Sequence, residues 1–280
     1  VPAFDTPEPI SATISIGTGS VRINAGDRGD TLVEVRPSDA FNDADVRAAE
    51  QAKVEFSQGH LLVKAARGRT ISLFGWGGSV EVTIDLPAGS RVEADAAADI
   101  HVQGRLADST FRTGSGDIWL DRTGRLRADS ANGDITVSAT QGATDITAAN
   151  GAIRVGKIDG TAVVKSANGG ITVGEVTGDS RLSTAYGDIS VGLALASVDA
   201  RTSTGGIRVG EAVRGSITLE TGYGDLEVGI RAGSAAWLDV SAPYGGVRTS
   251  LSAADGPLPS EETVEVRAGT SYGEIFIHRA

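Results

Sequence analysis

Residues 149–191 read ANGAIRVGKIDGTAVVKSANGGITVGEVTGDSRLSTAYGDISV. A short phrase recurs in this stretch: a turn residue, glycine, a polar or small residue, then Ile-x-Val. Its glycines, Gly151, Gly169 and Gly187, are 18 residues apart. The phrase extends in both directions as SGDIWL, NGDITV, TGGIRV, YGDLEV, YGGVRT and YGEIFI, placing further glycines at Gly116, Gly133, Gly205, Gly224, Gly245 and Gly273. The spacing holds near 18 residues and widens to 19, 21 and 28 toward the end. A fixed period of this length is the signature of a stacked repeat architecture.

Each column of the repeat carries its own chemistry. Two residues after the glycine stand Ile118, Ile135, Ile153, Ile171, Ile189, Ile207, Leu226, Val247 and Ile275. Two further on stand Leu120, Val137, Val155, Val173, Val191, Val209, Val228, Thr249 and Ile277. Polar or aromatic residues separate the two columns, an alternation that predicts a strand with one buried face. A second strand is expected before each glycine. Its inward columns run from Phe111 and Thr113 to Ala268 and Thr270, and their small side chains suggest a narrow corner.

Stacked parallel coils and a run of antiparallel hairpins both fit the alternation. Coils are favoured because like residues recur at one turn. Asn132, Asn150 and Asn168 form one column, which continues as Tyr186, Thr204, Tyr223, Tyr244 and Tyr272. The expected fold is all-β: a single-domain β-solenoid (β-helix) of about 18-residue coils. Residues 1–108 are read as a β-rich capping region continuous with the solenoid, and 109–280 as the repeat coils. Inside the cap, NDADVRAAEQ (residues 42–51) predicts one short helix capped by Asn42 or Asp43. Residues 252–263, which include Pro257 and Pro259, read as a loop insertion before the final coil. That coil, ending EIFIHRA, is expected to leave an open edge.

Bulk composition narrows the function. The chain has 280 residues, 38 of them glycine, 5% aromatic and none cysteine. The core must therefore be built from small and β-branched aliphatics, and disulfides and Cys-based zinc sites are excluded. A formal net charge of −11 disfavours nucleic acid and anionic lipid as partners. No apolar run is long enough for a membrane span. The opening VPAFDTPEPISATISI has neither the basic nor the apolar region of a signal peptide. A cytoplasmic location is expected, with cell surface or secretion the alternative if a leader has been removed.

The repeated T/S-x-x-G-D-I-x-V units, with IDLPAGS at residues 84–90, resemble the bacterial DUF4097/DUF2807-type adhesin-like β-repeat family. The opening VPAFDTPEPI and the ending AWLDV…YGGVR…SYGEIFIHR are similar to its actinobacterial members without a signal peptide. The resemblance spans essentially the whole chain. It implies a β-helical fold and brings no catalytic residues.

Asp117, Asp134, Asp188, Asp225 and Glu274 follow repeat glycines. Asp117 and Asp134 on neighbouring coils could reach the separation used by retaining glycosidases. Ordinary turn chemistry explains the same residues, and Ala152, Gly170, Gly206 and Gly246 interrupt the column. His60, His101 and His278 are scattered, so no metal site is expected. No G-x-S-x-G elbow and no phosphate-binding glycine loop is present. Tyr186, Tyr223, Tyr244 and Tyr272 are the best binding candidates: they either stack on one another or present rings to a sugar or a protein. LFGWGG, residues 73–78, carries Phe74 and Trp76 on a glycine-rich tip that either makes contacts or folds back as a cap.

The expectation is a non-catalytic scaffold or adhesin-like protein without cofactors, presenting a regular face to a protein or glycan. Its expected state is monomer or homodimer. A polysaccharide-active enzyme and a self-assembling structural element are the alternatives.

Overall fold

The structure is a computed structural model, and it describes residues 1–65, 78–252 and 262–280. The described residues form an all-β solenoid with one helix. Two compact units divide it, Val1–Ser138 and Ala139–Ala280.

In the second unit each coil holds two strands. One precedes the turn glycine, as in Ser180–Tyr186, and one follows it, as in Ile189–Ala194. Like strands of successive coils pair in parallel and in register. Leu182 lies beside Val164 and Ala200, and Val191 beside Val173 and Val209. The inward columns read from the sequence are buried from Ile153 to Leu226, and again at Ile275 and Ile277. In-register stacking lets each Ile or Val pack on its counterpart one coil away, which fills a thin core without aromatics.

Turn chemistry holds the coils at their spacing. At Gly187 φ is 143°, and a Cβ there would stand 2.6 Å from the Gly169 carbonyl oxygen, so only glycine fits. The buried hydroxyl column closes the corner. Thr184, Thr202, Thr221 and Thr270 donate at 2.9–3.1 Å to the carbonyls of Gly169, Gly187, Gly205 and Gly224, each one coil away. Within the amide column, Asn168 Nδ2 donates to Asn150 Oδ1 at 2.9 Å.

Coil order departs from chain order at one place. Thr263–Tyr272 pairs with Gly215–Tyr223 on one side and with Ala235–Ser241 on the other. Ile275–Arg279 likewise lies between Leu226–Ile230 and Val247–Thr249. The last coil in sequence is therefore inserted between its two predecessors. The expectation of an open edge at EIFIHRA is corrected: the edge belongs to the coil of residues 235–249. Burial explains the exchange. The inserted coil offers Val264, Val266, Ala268, Ile275 and Ile277 to the core, all buried. The displaced coil has Val247, 46% exposed, and exposed Thr249 in the Ile-x-Val positions. The coil with the poorer apolar columns takes the end, where one side stays in water.

In the first unit the coils are fewer and less regular. Ser11–Gly26 and Arg91–Arg105 each serve both faces of the solenoid as one long strand. Residues 11–15 pair with His60–Lys64 and with 91–95, and residues 18–26 pair with Ser79–Pro87. The stack is terminated by antiparallel strands, Ala3–Asp5 on Asp30–Pro37 and Lys53–Ser57 on His60–Lys64. Phe4 and Phe56 meet across that end with ring centroids 5.1 Å apart. The helix Asp43–Glu50 is capped by Asn42, whose side chain accepts from the Ala44 amide at 2.9 Å. Asp45 is buried and accepts from the Ser79 and Asp39 amides at 2.8 and 3.1 Å, which anchors the helix to the strand Ser79–Pro87.

Candidate functional site

All four tyrosines of the chain lie in the turn column before the repeat glycine. Backbone bonds fix the corner. The Gly169, Gly205 and Gly224 amides donate to the carbonyls of Tyr186, Tyr223 and Tyr272 at 2.8–2.9 Å. The register places Tyr186 beside Thr204, Thr204 beside Tyr223, and Tyr223 beside Tyr272. The inserted coil then brings three rings together that chain order would not. Tyr223 and Tyr272 stack with centroids 4.9 Å apart and planes 3° from parallel. Tyr244 stacks on the other side of Tyr272 at 4.9 Å and 11°.

The stack is exposed: Tyr223 by 59%, Tyr272 by 48% and Tyr244 by 70%. The rings of Tyr223, Tyr272 and Tyr244 stack on one another and still face water. Stacking covers both faces of Tyr272 and one face each of Tyr223 and Tyr244. Tyr186 is 63% exposed, and Thr204 separates it from this group. Trp237, 70% exposed on the coil of residues 235–249, was not singled out from the sequence. Its outward parity between Ala236 and Leu238 was the available signal.

The outer sheet faces around the column carry ion pairs of mixed sign. Arg201 bonds Asp199 at 2.9 Å, Arg267 bonds Glu265 at 2.6 Å, and Arg248 reaches Glu274 at 3.2 Å. The Asp199 hydrogen bond raises the Arg201 pKa above its ordinary value. Such exposed pairs contribute little stability and give the face no single sign.

The turn carboxylates have a different role. Asp117 Oδ1 accepts from the Asp134 amide at 2.7 Å, and Asp99 Oδ1 from the Asp117 amide at 2.9 Å. Asp188 does the same for Gly206 at 2.8 Å, and Asp225 for Glu274 at 2.7 Å. Each of these carboxylates staples one coil to the backbone of the next, and for Asp117, Asp188 and Asp225 this accounts for the position after glycine.

The histidines do not converge. His60 and His101 lie in the first unit, the latter with its ring centroid 6.1 Å from that of Trp119. His278 lies in the second unit and bonds Glu227 at 3.1 Å. Among the described residues no group of three or more His, Cys, Asp or Glu is arranged to hold a metal. A shallow concavity of about 510 Å³ on the first unit is lined by Arg91, Arg125 and Arg127 together with Glu93, Asp108 and His60. Its lining sets three arginines against two carboxylates; Glu93 lies 3.7 Å from Arg112, and Asp108 accepts from the Arg125 backbone amide at 3.0 Å. Phe74 and Trp76 lie outside the described residues.

A family model described as Toastrack DUF4097 matches residues 12–278. Solved structures resemble the chain at low identity. One is described as a "putative adhesin" from Bacteroides fragilis, 12% identical, covering 99% of this chain and 95% of its own, with a TM-score of 0.34. Another "putative adhesin", from Parabacteroides merdae, is 11% identical, covers 81% of this chain and 94% of its own, and has a TM-score of 0.49. A third, from Parabacteroides distasonis, is described as a "putative lipid binding protein"; it is 10% identical, covers 98% and 95%, and has a TM-score of 0.42. A search of curated proteins returns no match.

Proposed function

The chain belongs to the Toastrack DUF4097 family, and from that premise we propose that it is a non-catalytic binding scaffold whose tyrosine stack docks a protein partner. The observation that carries this is the exposed three-ring stack, 48–70% accessible on a rigid turn column. Stacked tyrosines offer a large amphipathic surface with little side-chain entropy left to lose on binding, as protein interfaces favour. A sugar stacks on an open ring face, and here both faces of Tyr272 are covered, which leaves one outer face each on Tyr223 and Tyr244 instead of a continuous platform. Asp117 and Asp188 each accept from a backbone amide of the neighbouring coil, a structural use of the turn carboxylate that supports this reading.

The test compares wild-type protein with the Tyr223→Ser/Tyr244→Ser variant in affinity capture and on a glycan array. The reading predicts that captured proteins are lost with the variant while its thermal midpoint stays close to wild type. Unchanged capture would contradict it. So would a ligand found only on the glycan array and lost with the same substitutions.

A further inference from the structure

The two units end their sheets differently. In the first unit the terminal strands are short and antiparallel, Ala3–Asp5 and Lys53–Ser57, with Lys53 paired to Glu55 at 2.6 Å and Phe4 on Phe56 closing the end. Short charged edge strands are how proteins protect a sheet edge. In the second unit the outermost strand, Ala235–Ser241, pairs with Thr263–Tyr272 on one side, and among the described residues no strand pairs with its other side. It reads AAWLDVS, with Asp239 as its sole ionisable residue. Trp237 is 70% exposed, and Leu238 and Val240 are half-buried although their register partners Val266 and Ala268 are buried. This edge combines open backbone groups, a half-exposed core layer and almost no charge, the features that template strand pairing.

We infer that this edge is a dimer interface between two copies of the chain, formed by antiparallel pairing of Ala235–Ser241 about Leu238. The sequence is self-complementary in that register. Leu238 faces Leu238 of the second copy, Ala236 faces its Val240, Trp237 faces its Asp239, and Ala235 faces its Ser241. No like charges are opposed. The inward set Ala236, Leu238 and Val240 meets the same set, so the half-exposed core layers of the two copies cover each other. An isologous contact of this kind closes on itself. Among the described residues the terminal strands of the first unit are short and charged and offer no comparable edge, so the product is a dimer and not a filament. Each copy carries a net charge of −11, so added salt screens the repulsion and tightens the dimer.

The test is sedimentation velocity on the full chain from about 1 to about 100 μM at low and high salt, because association is read against protomer concentration. Wild type is expected to shift from monomer to dimer, with the midpoint falling as salt rises. Trp237→Glu should weaken association at least about tenfold, because it sets a second carboxylate against Asp239 of the other copy. The chain has no cysteine, so Leu238→Cys introduces a single thiol on the proposed axis. Oxidation should yield covalent dimer, and Ser138→Cys at an exposed position should not. Three results would each overturn the inference: wild type monomeric across the range, association indifferent to Trp237→Glu, or a dimer that Leu238→Cys does not cross-link.

Discussion

At the residue scale the repeat is governed by what each turn position must do for its neighbour one coil away. The turn glycine admits the next coil's backbone. Gly187→Ala is expected to lower unfolding free energy by about 1–3 kcal/mol, because it forces a strained φ and a backbone clash. Denaturant midpoints measure it. The carboxylate after the glycine caps an amide, so Asp188→Ala should cost about 0.5–1.5 kcal/mol, and Asp188→Asn, which keeps an acceptor, should cost less. His278 sets a pH dependence. Its Nδ1 faces the Arg279 carbonyl at 2.8 Å and its Nε2 faces Glu227 at 3.1 Å, so both bonds form only when both nitrogens carry protons. The carbonyl of Arg279 first, then Glu227, raises its pKa above 6.5, and Arg208 opposes them. A raised folded-state pKa means that the contribution is complete below the ordinary imidazole range and is lost as pH rises through the folded value. Wild type should therefore lose more stability than His278→Gln between about pH 5.5 and about pH 8.5. Equal losses would remove the role assigned to His278.

At the element scale the same column has different worth in different coils. Ile207 is buried between Ile189 and Leu226, and Ile207→Ala should cost about 2–5 kcal/mol. Val247 holds the equivalent position in the end coil at 46% exposure, and Val247→Ala should cost about 0.5 kcal/mol or less. Urea denaturation of both variants checks the contrast. Strands, inward columns and the helix capped by Asn42 were legible in the sequence, because alternation, glycine spacing and a capping residue are local signals. The work of the small polar columns was less legible. Thr184 and Thr202 read as narrow-corner residues, yet their hydroxyls bond a carbonyl 15 residues away, a contact that appears only once register is known.

At the scale of the whole molecule, coil order was the hidden variable. Parallel coils of equal width have interchangeable edges, so periodicity alone cannot say which coil lies beside which. Thr249 in a valine position and a weak Val247 were the traces of an end coil, but the repeat masked them. The tyrosine column was visible as a column, whereas the three-ring stack was not, since it depends on Tyr272 lying between Tyr223 and Tyr244. Both the proposed docking face and the proposed dimer edge rest on that insertion. Without it, Tyr223 and Tyr244 would be neighbours and the coil of residues 235–249 would be enclosed. Paired cysteines in this cysteine-free chain test the order directly, because thiols cross-link only where their strands adjoin. With a short thiol-to-thiol reagent, Tyr223→Cys/Tyr272→Cys should cross-link efficiently within the chain and Tyr223→Cys/Tyr244→Cys should not. Efficient cross-linking of 223 to 244 and none of 223 to 272 would contradict the inserted coil.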